Sequence, residues 1–256
     1  MTVWDRFKHI GLELKAHSPF TLLGAALGIG FMLLFKDISK ENALRLFAVF
    51  HPLHVVLSAM VTAALFKLHR KASSFLVILA IGYVGSIGIA TLSDSLLPYL
   101  GQSVLGATIP THAALHTLDD SDHVHGPDCD HNHKPHLHLG FIEEWYLVTP
   151  AALLGVVLAY FRPLTKIPHA GHVLVSTWAS ASFMLISSPE QMSLGLLLGM
   201  FIVLFLAVWL PCCLSDIVFP TLFIREDGAH LGHHGCVLCG KPNPDKTKET
   251  GDETQH

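Results

Sequence analysis

His51-Pro-Leu-His54-Val-Val-Leu-Ser58 returns later in the chain as His169-Ala-Gly-His172-Val-Leu-Val-Ser176. Downstream of each copy comes a second shared element, Leu92-Ser93-Asp94 with Pro98 and then Leu214-Ser215-Asp216 with Pro220. The same polar set thus recurs in the same order, each time in or beside a strongly apolar segment. A repeat of this kind makes the fold a question about two related halves. Ionisable side chains in apolar segments are costly and default to a functional reading.

The surrounding composition says what kind of solvent the halves meet. Of 256 residues, 51% are hydrophobic and only 14% charged, and the mean hydropathy is +0.48. Soluble domains run near one-quarter charged, so the composition points to an integral membrane protein in a lipid bilayer. A net charge of -4 gives no footing for nucleic acid. Nineteen histidines against sixteen Lys plus Arg are a large excess. Five cysteines (Cys129, Cys212, Cys213, Cys236 and Cys239) are too few and too scattered for a disulfide framework. Residues 1–17 are charged and amphipathic and lack the apolar core of a signal peptide, so they read as an interfacial helix.

A membrane span needs about 20 apolar residues. Six segments qualify, near 19–35, 46–66, 73–97, 145–161, 170–187 and 192–213, the last running on past a break at Pro211 towards Ile224. Lys and Arg in the loops set orientation. With the N-terminus inside, the inner segments hold Arg6, Lys8, Lys15, Lys67, Arg70, Lys71, Arg162, Lys166 and Arg225, and the outer ones only Lys36, Lys40, Arg45 and Lys134. Both termini are expected in the cytoplasm, the 101–144 loop outside, and the membrane to be a bacterial inner membrane. Leu22-Leu23-Gly24 with Leu27 and Phe31 matches Leu153-Leu154-Gly155 with Leu158 and Phe161, which puts the first and fourth spans in register with the His and Asp elements. The expected fold is therefore all-α, with six transmembrane helices as two inverted three-helix repeats over 18–100 and 145–224. An odd number of spans per repeat inverts the halves, as in many secondary transporters.

His51 and His54 are three residues apart, as are His169 and His172, so each pair shares one helix face, and Ser58 and Ser176 fall on that face too. Imidazoles with a carboxylate suit divalent zinc, nickel, cobalt, iron or manganese, and Asp94 and Asp216 supply the neutralising charge. Pro98 and Pro220 are expected to interrupt their helices beside each Asp and free carbonyls there. The two sets form either two stations on opposite sides of the midplane or one central binuclear site. The plain alternative is interhelical hydrogen bonding that fixes packing.

The 101–144 loop carries His112, His116, His123, His125, His131, His133, His136 and His138 among aspartates and Cys129. Such a tract offers many exchangeable ligands without fixed geometry and suits metal capture. In this it resembles the loops of zinc transporters in the ZIP and cation-diffusion-facilitator families; the spans carry neither family's intramembrane signature, and the likeness assigns no residue. The tail over 225–256 reads His230-Leu-Gly-His233-His234-Gly-Cys236-Val-Leu-Cys239-Gly. Its Cys-x-x-Cys and neighbouring His233 and His234 have zinc-knuckle character and suit a cytoplasmic metal acceptor. Cys212 and Cys213, next to Pro211 and Asp216, either add soft ligands on the inner side or, as the favoured reading, serve as small apolar filler.

The leading expectation is a divalent-metal transporter or channel, zinc first, rather than an enzyme. Its candidate ligands are His51, His54, Asp94, His169, His172, Asp216, His233, His234, Cys236 and Cys239. The metal ions are its substrate, and a homo-oligomer is left open. Three other readings remain: an intramembrane zinc hydrolase, a metal sensor without flux, and a haem carrier with His54 and His172 as axial ligands.

Overall fold

Apolar runs too long for a soluble core helix become rods. The computed structural model describes residues 3–69, 74–106, 145–163, 166–186 and 193–213, and every regular element among them is helical. They are α1 (Val3–Leu34), α2 (Lys40–His69), α3 (Phe75–Thr91), a π turn (Leu92–Leu96), α4 (Leu97–Val104), α5 (Trp145–Phe161), α6 (Lys166–Ile186) and α7 (Leu194–Cys213). Four apolar stretches are long enough to cross a membrane: His17–Leu34, Lys40–Leu68, Phe75–Val104 and Leu194–Cys212. The first helix continues without interruption across residue 17, where the interfacial segment was expected to give way to the first span.

The distribution of side chains fits a lipid environment. Leu23, Leu76, Val84, Leu154, Leu198 and Ile202 are exposed, whereas His51, His54, Asp94, His172 and several Ser and Thr side chains, among them Ser58, Ser93 and Ser176, are wholly buried. Buried polar groups combined with an exposed apolar surface invert the soluble pattern. Helix contact in such a setting depends on close packing and polar bonds more than on water exclusion.

At the centre, α2 packs along α6. On one side α5 and α3 lie against α2, and on the other α1 and α7 lie with α6. Small residues permit the closest crossings. A Cβ on Gly155 would run into the Val56 carbonyl and come within 2.7 Å of the Ala59 methyl. At the corresponding crossing of α1 on α6, a Cβ on Gly24 would meet Thr177 Oγ1 at 3.3 Å and Val173 Cγ1 at 3.7 Å. Apolar clusters fill the remaining space: Ala59, Ala63, Phe66, Ile78, Val156 and Ala159 between α2, α3 and α5, and Met32, Ala181, Met184, Met200 and Leu204 between α1, α6 and α7.

The break expected at Pro98 takes a different form. The third rod does not end there; it widens one turn earlier into the π turn, where Leu97 N–H donates to the Leu92 carbonyl five residues back, and then resumes as α4 with Pro98 in its first turn. A proline clashes with the carbonyl four residues before it, here that of Asp94, and has no N–H to offer it. A widened turn relieves that conflict, and such turns recur at functional sites. Ser93, Asp94 and Ser95, all in the π turn, are all buried.

A buried histidine, aspartate and serine centre

The π turn delivers Asp94 to the middle of the bundle, facing α2 and α6. Its carboxylate is wholly buried. His51 and His54, one turn apart on α2, both turn Nδ1 to the same oxygen, at 2.9 and 2.7 Å from Asp94 Oδ2. The other oxygen, Oδ1, accepts from Ser93 Oγ at 2.7 Å and from Ser176 Oγ of α6 at 3.1 Å. Ser180, one turn along α6, places Oγ 3.0 Å from the Ser93 carbonyl and 2.8 Å from that of Ser176, and its single proton serves one of them. A residue of the second half therefore completes the shell of an aspartate from the first.

A carboxylate oxygen only accepts, so each ring donates through Nδ1, and in a neutral imidazole that leaves the lone pair on Nε2. Among the described residues neither His51 Nε2 nor His54 Nε2 has a hydrogen-bond partner, and both are shut from solvent. Phe47 stacks flat on His51, with ring centroids 5.1 Å apart and planes 9° apart, which fixes that ring's orientation. Pro52 lies between the two histidines inside α2 and leaves the carbonyl four residues earlier without its helical donor.

The second histidine pair adjoins the first. His172 meets His54 edge to face at 4.7 Å between centroids. His169 lies 6.2 Å beyond His172, and His17 of α1 lies 5.2 Å from His169. The imidazoles thus form a row, His17, His169, His172 and His54, that ends on Asp94 and His51. His172 also places Nε2 2.9 Å from Cys212 Sγ, near the end of α7. Rings in contact at 4.7 Å leave no gap for a porphyrin, so the haem arrangement with His54 and His172 as its two axial ligands does not fit.

Of the residues singled out in the sequence, His51, His54, Asp94, His169 and His172 come together here, with Ser176 as the link between halves. Asp216, His233, His234, Cys236 and Cys239 lie outside the described residues, as does the histidine-rich loop over 107–144. No group of three or more His, Cys, Asp or Glu side chains among the described residues is close enough to hold one metal ion. The described donors form a row of pairs, not a closed cage. Ser93, Ser180, Cys212 and His17 belong to the centre although spacing did not single them out. For Ser93 a signal was present, since both copies of the second element read Leu-Ser-Asp.

Lys67 is placed as a residue near a helix end should be. Its ammonium donates to the Tyr160 carbonyl and lies 4.4 Å from the Tyr160 ring centroid, so the stem covers apolar surface while the charge finds acceptors.

No family model matches this chain, and no match was found among curated proteins or solved structures. The functional reading therefore rests on the geometry alone.

Proposed function

We propose that this protein carries divalent metal ions, zinc first, across a membrane through the buried His51, His54, Asp94, His169 and His172 row. One observation carries the reading. A fully buried carboxylate collects two imidazole Nδ1 donors on one oxygen and two hydroxyls on the other, leaving both His51 and His54 Nε2 atoms without a partner among the described residues. Carboxylate–histidine pairs of this kind orient imidazoles that ligate metal. Asp94 on this reading orients the ligands and supplies a negative charge that draws a cation into the bilayer; His51 and His54 bind it through Nε2.

The open arrangement favours passage over storage. Structural zinc sites close four ligands around the ion, whereas conduction needs sites weak enough to leave. A row of paired donors meets that need. Six spans and two inverted three-helix repeats complete the proposal, with α5 and α6 also crossing the bilayer. Its support is the matched packing: Gly24 of α1 meets Val173 and Thr177 of α6, and Gly155 of α5 meets Val56 and Ala59 of α2. Ala59 and Thr177 hold equivalent places after His51 and His169. The histidine-rich loop gathers ions on the outer side, Asp216 serves the second half, and His233, His234, Cys236 and Cys239 receive ions in the cytoplasm. A capture loop outside favours uptake.

The test is metal flux in proteoliposomes, with zinc, manganese, cobalt and nickel offered separately and bound metal counted on the same samples. Wild type is expected to move zinc, and Asp94→Asn and Asp216→Asn are each expected to lower flux by about 10–100-fold, the usual cost of losing a carboxylate behind a metal-binding imidazole. Metal bound by wild type without flux would overturn transport and favour a sensor or a hydrolase.

A further inference from the structure

The Cys212 thiol lies in an apolar cluster with Val173 and Val208, the setting of an inert filler. Its contact is not a filler's. The sulfur is 2.9 Å from Nε2 of His172, the ring that abuts His54, and both residues are buried. His54 spends Nδ1 on Asp94 and therefore presents Nε2 on the ring edge away from the carboxylate, where no described residue bonds to it. A thiol, an imidazole in contact with it and a second imidazole with an uncommitted nitrogen stand in sequence within the same buried row.

We propose that Cys212 and His172 form a soft metal station in that row, with His54 as the donor that passes ions to or from it, so that the cargo is a thiophilic ion of the zinc and cadmium class and not manganese or magnesium. The inference rests on the transport reading for its purpose but not for its chemistry. Sulfur donors select zinc-like and softer ions, whereas carboxylate and water suit magnesium and manganese. Binding breaks the Cys212 S–H bond, the sulfur electron pair forms the bond to the metal, and the proton leaves to water. Two ligands at contact distance, with water filling the remaining positions, make a station that fills and empties readily. The His51, His54 and Asp94 end is harder and more anionic. Ions held by nitrogen at one end and by nitrogen with sulfur at the other move between stations of comparable affinity only if they accept both donor types. Zinc does, and manganese does not accept sulfur well.

The probe is Co2+, whose thiolate complexes absorb strongly in the near ultraviolet while its purely nitrogen and oxygen complexes do not. The full chain is prepared with Cys129, Cys213, Cys236 and Cys239 each replaced by serine, leaving Cys212 as the sole thiol. The expected result is a sulfur-to-cobalt charge-transfer band that saturates with added Co2+, is displaced by Zn2+ and not by Mn2+, and disappears in Cys212→Ser. His172→Gln is expected to weaken Co2+ binding by at least about tenfold, since losing a ligand costs no less than losing the partner behind one. No band, whether or not Co2+ binds, overturns the proposal, as does a band that survives Cys212→Ser. The measurement on the sole-thiol parent decides even where a further variant fails to fold. Zinc flux in proteoliposomes separates the two readings. Flux without a thiolate band removes the soft station and leaves transport standing; a band without flux keeps the station and removes transport.

Discussion

His51 with His54 and His169 with His172 are copies of one sequence pattern, yet among the described residues they meet different chemistry. The first pair is latched through Nδ1 to one carboxylate oxygen, and one of its rings is clamped by Phe47. The described contacts of the second pair are to other imidazoles and to a thiol. Among the described residues, equivalent places on α2 and α6 thus meet unlike partners, while Asp216, the repeat equivalent of Asp94, lies outside them. What the repeat conserves is the backbone position of each histidine; the neighbouring helix end decides what faces it. For α2 that end is the π turn carrying Asp94, and for α6 it includes the end of α7 with Cys212. On the proposed transport reading such a difference is useful, since ends of unlike hardness discriminate between ions that a symmetric pair would treat alike.

The sharpest way to break the comparison lies in the two glycine crossings that hold the halves together. Gly155→Ala presses a methyl against the Val56 carbonyl, a backbone atom that cannot swing aside, and the Ala59 methyl behind it. Overpacking costs about 1–3 kcal/mol, and a backbone obstacle places this change at the upper end. Gly24→Ala meets Thr177 Oγ1 at 3.3 Å, where a few tenths of an ångström of side-chain movement suffice. Alanine also raises helix stability by about 0.5–1 kcal/mol over glycine, so the net change at Gly24 should be close to zero. Unfolding in mixed micelles against increasing dodecyl sulfate measures both. Equal losses would mean that the two crossings are equally tight and that the halves differ less than their packing indicates.

How far these features could be read from the chain depends on the range of the interaction. Helices cover the apolar runs, four of them long and apolar enough to cross a membrane, and each histidine pair falls on one face as a three-residue spacing requires. Ser176 was legible as a member of that face, but its partner was not. Whether Asp94 meets Ser176 or stays with its own half depends on how α2, α6 and the third rod slide past one another, and helical periodicity carries no information on that. The same limit left one merged centre and two separate stations both open; His54 lies against His172 at 4.7 Å, while Asp216 lies outside the described residues. Cys212 was open to a soft-ligand role but read first as filler, because a buried cysteine usually is one; the imidazole that decides between the two comes from another helix. Pro98 signalled a disturbance correctly, but local sequence does not distinguish a broken helix from one that absorbs the clash in a widened turn.

The smallest effect sharpens the comparison most. Ser176 and Ser58 are repeat equivalents, both wholly buried. Ser176 donates across helices to Asp94 Oδ1 at 3.1 Å, and such bonds within membrane bundles are worth about 0.6 and at most 1.7 kcal/mol. Ser176→Ala should cost about that much in the same micelle titration. Ser58 Oγ has no hydrogen-bond partner among the described residues, and removing a buried hydroxyl that bonds to nothing is neutral or slightly stabilising. Ser58→Ala should therefore leave the unfolding midpoint unchanged or raise it slightly. A loss equal to that of Ser176→Ala would mean that Ser58 finds an acceptor outside the described residues, and the repeat names Asp216 as the first to test by combining Ser58→Ala with Asp216→Asn. Non-additive losses in that pair would make the two halves chemically alike after all, each serine serving the aspartate of the other half. Additive losses would leave Asp94 as the one carboxylate that both halves share, and the asymmetry between the two histidine pairs would stand.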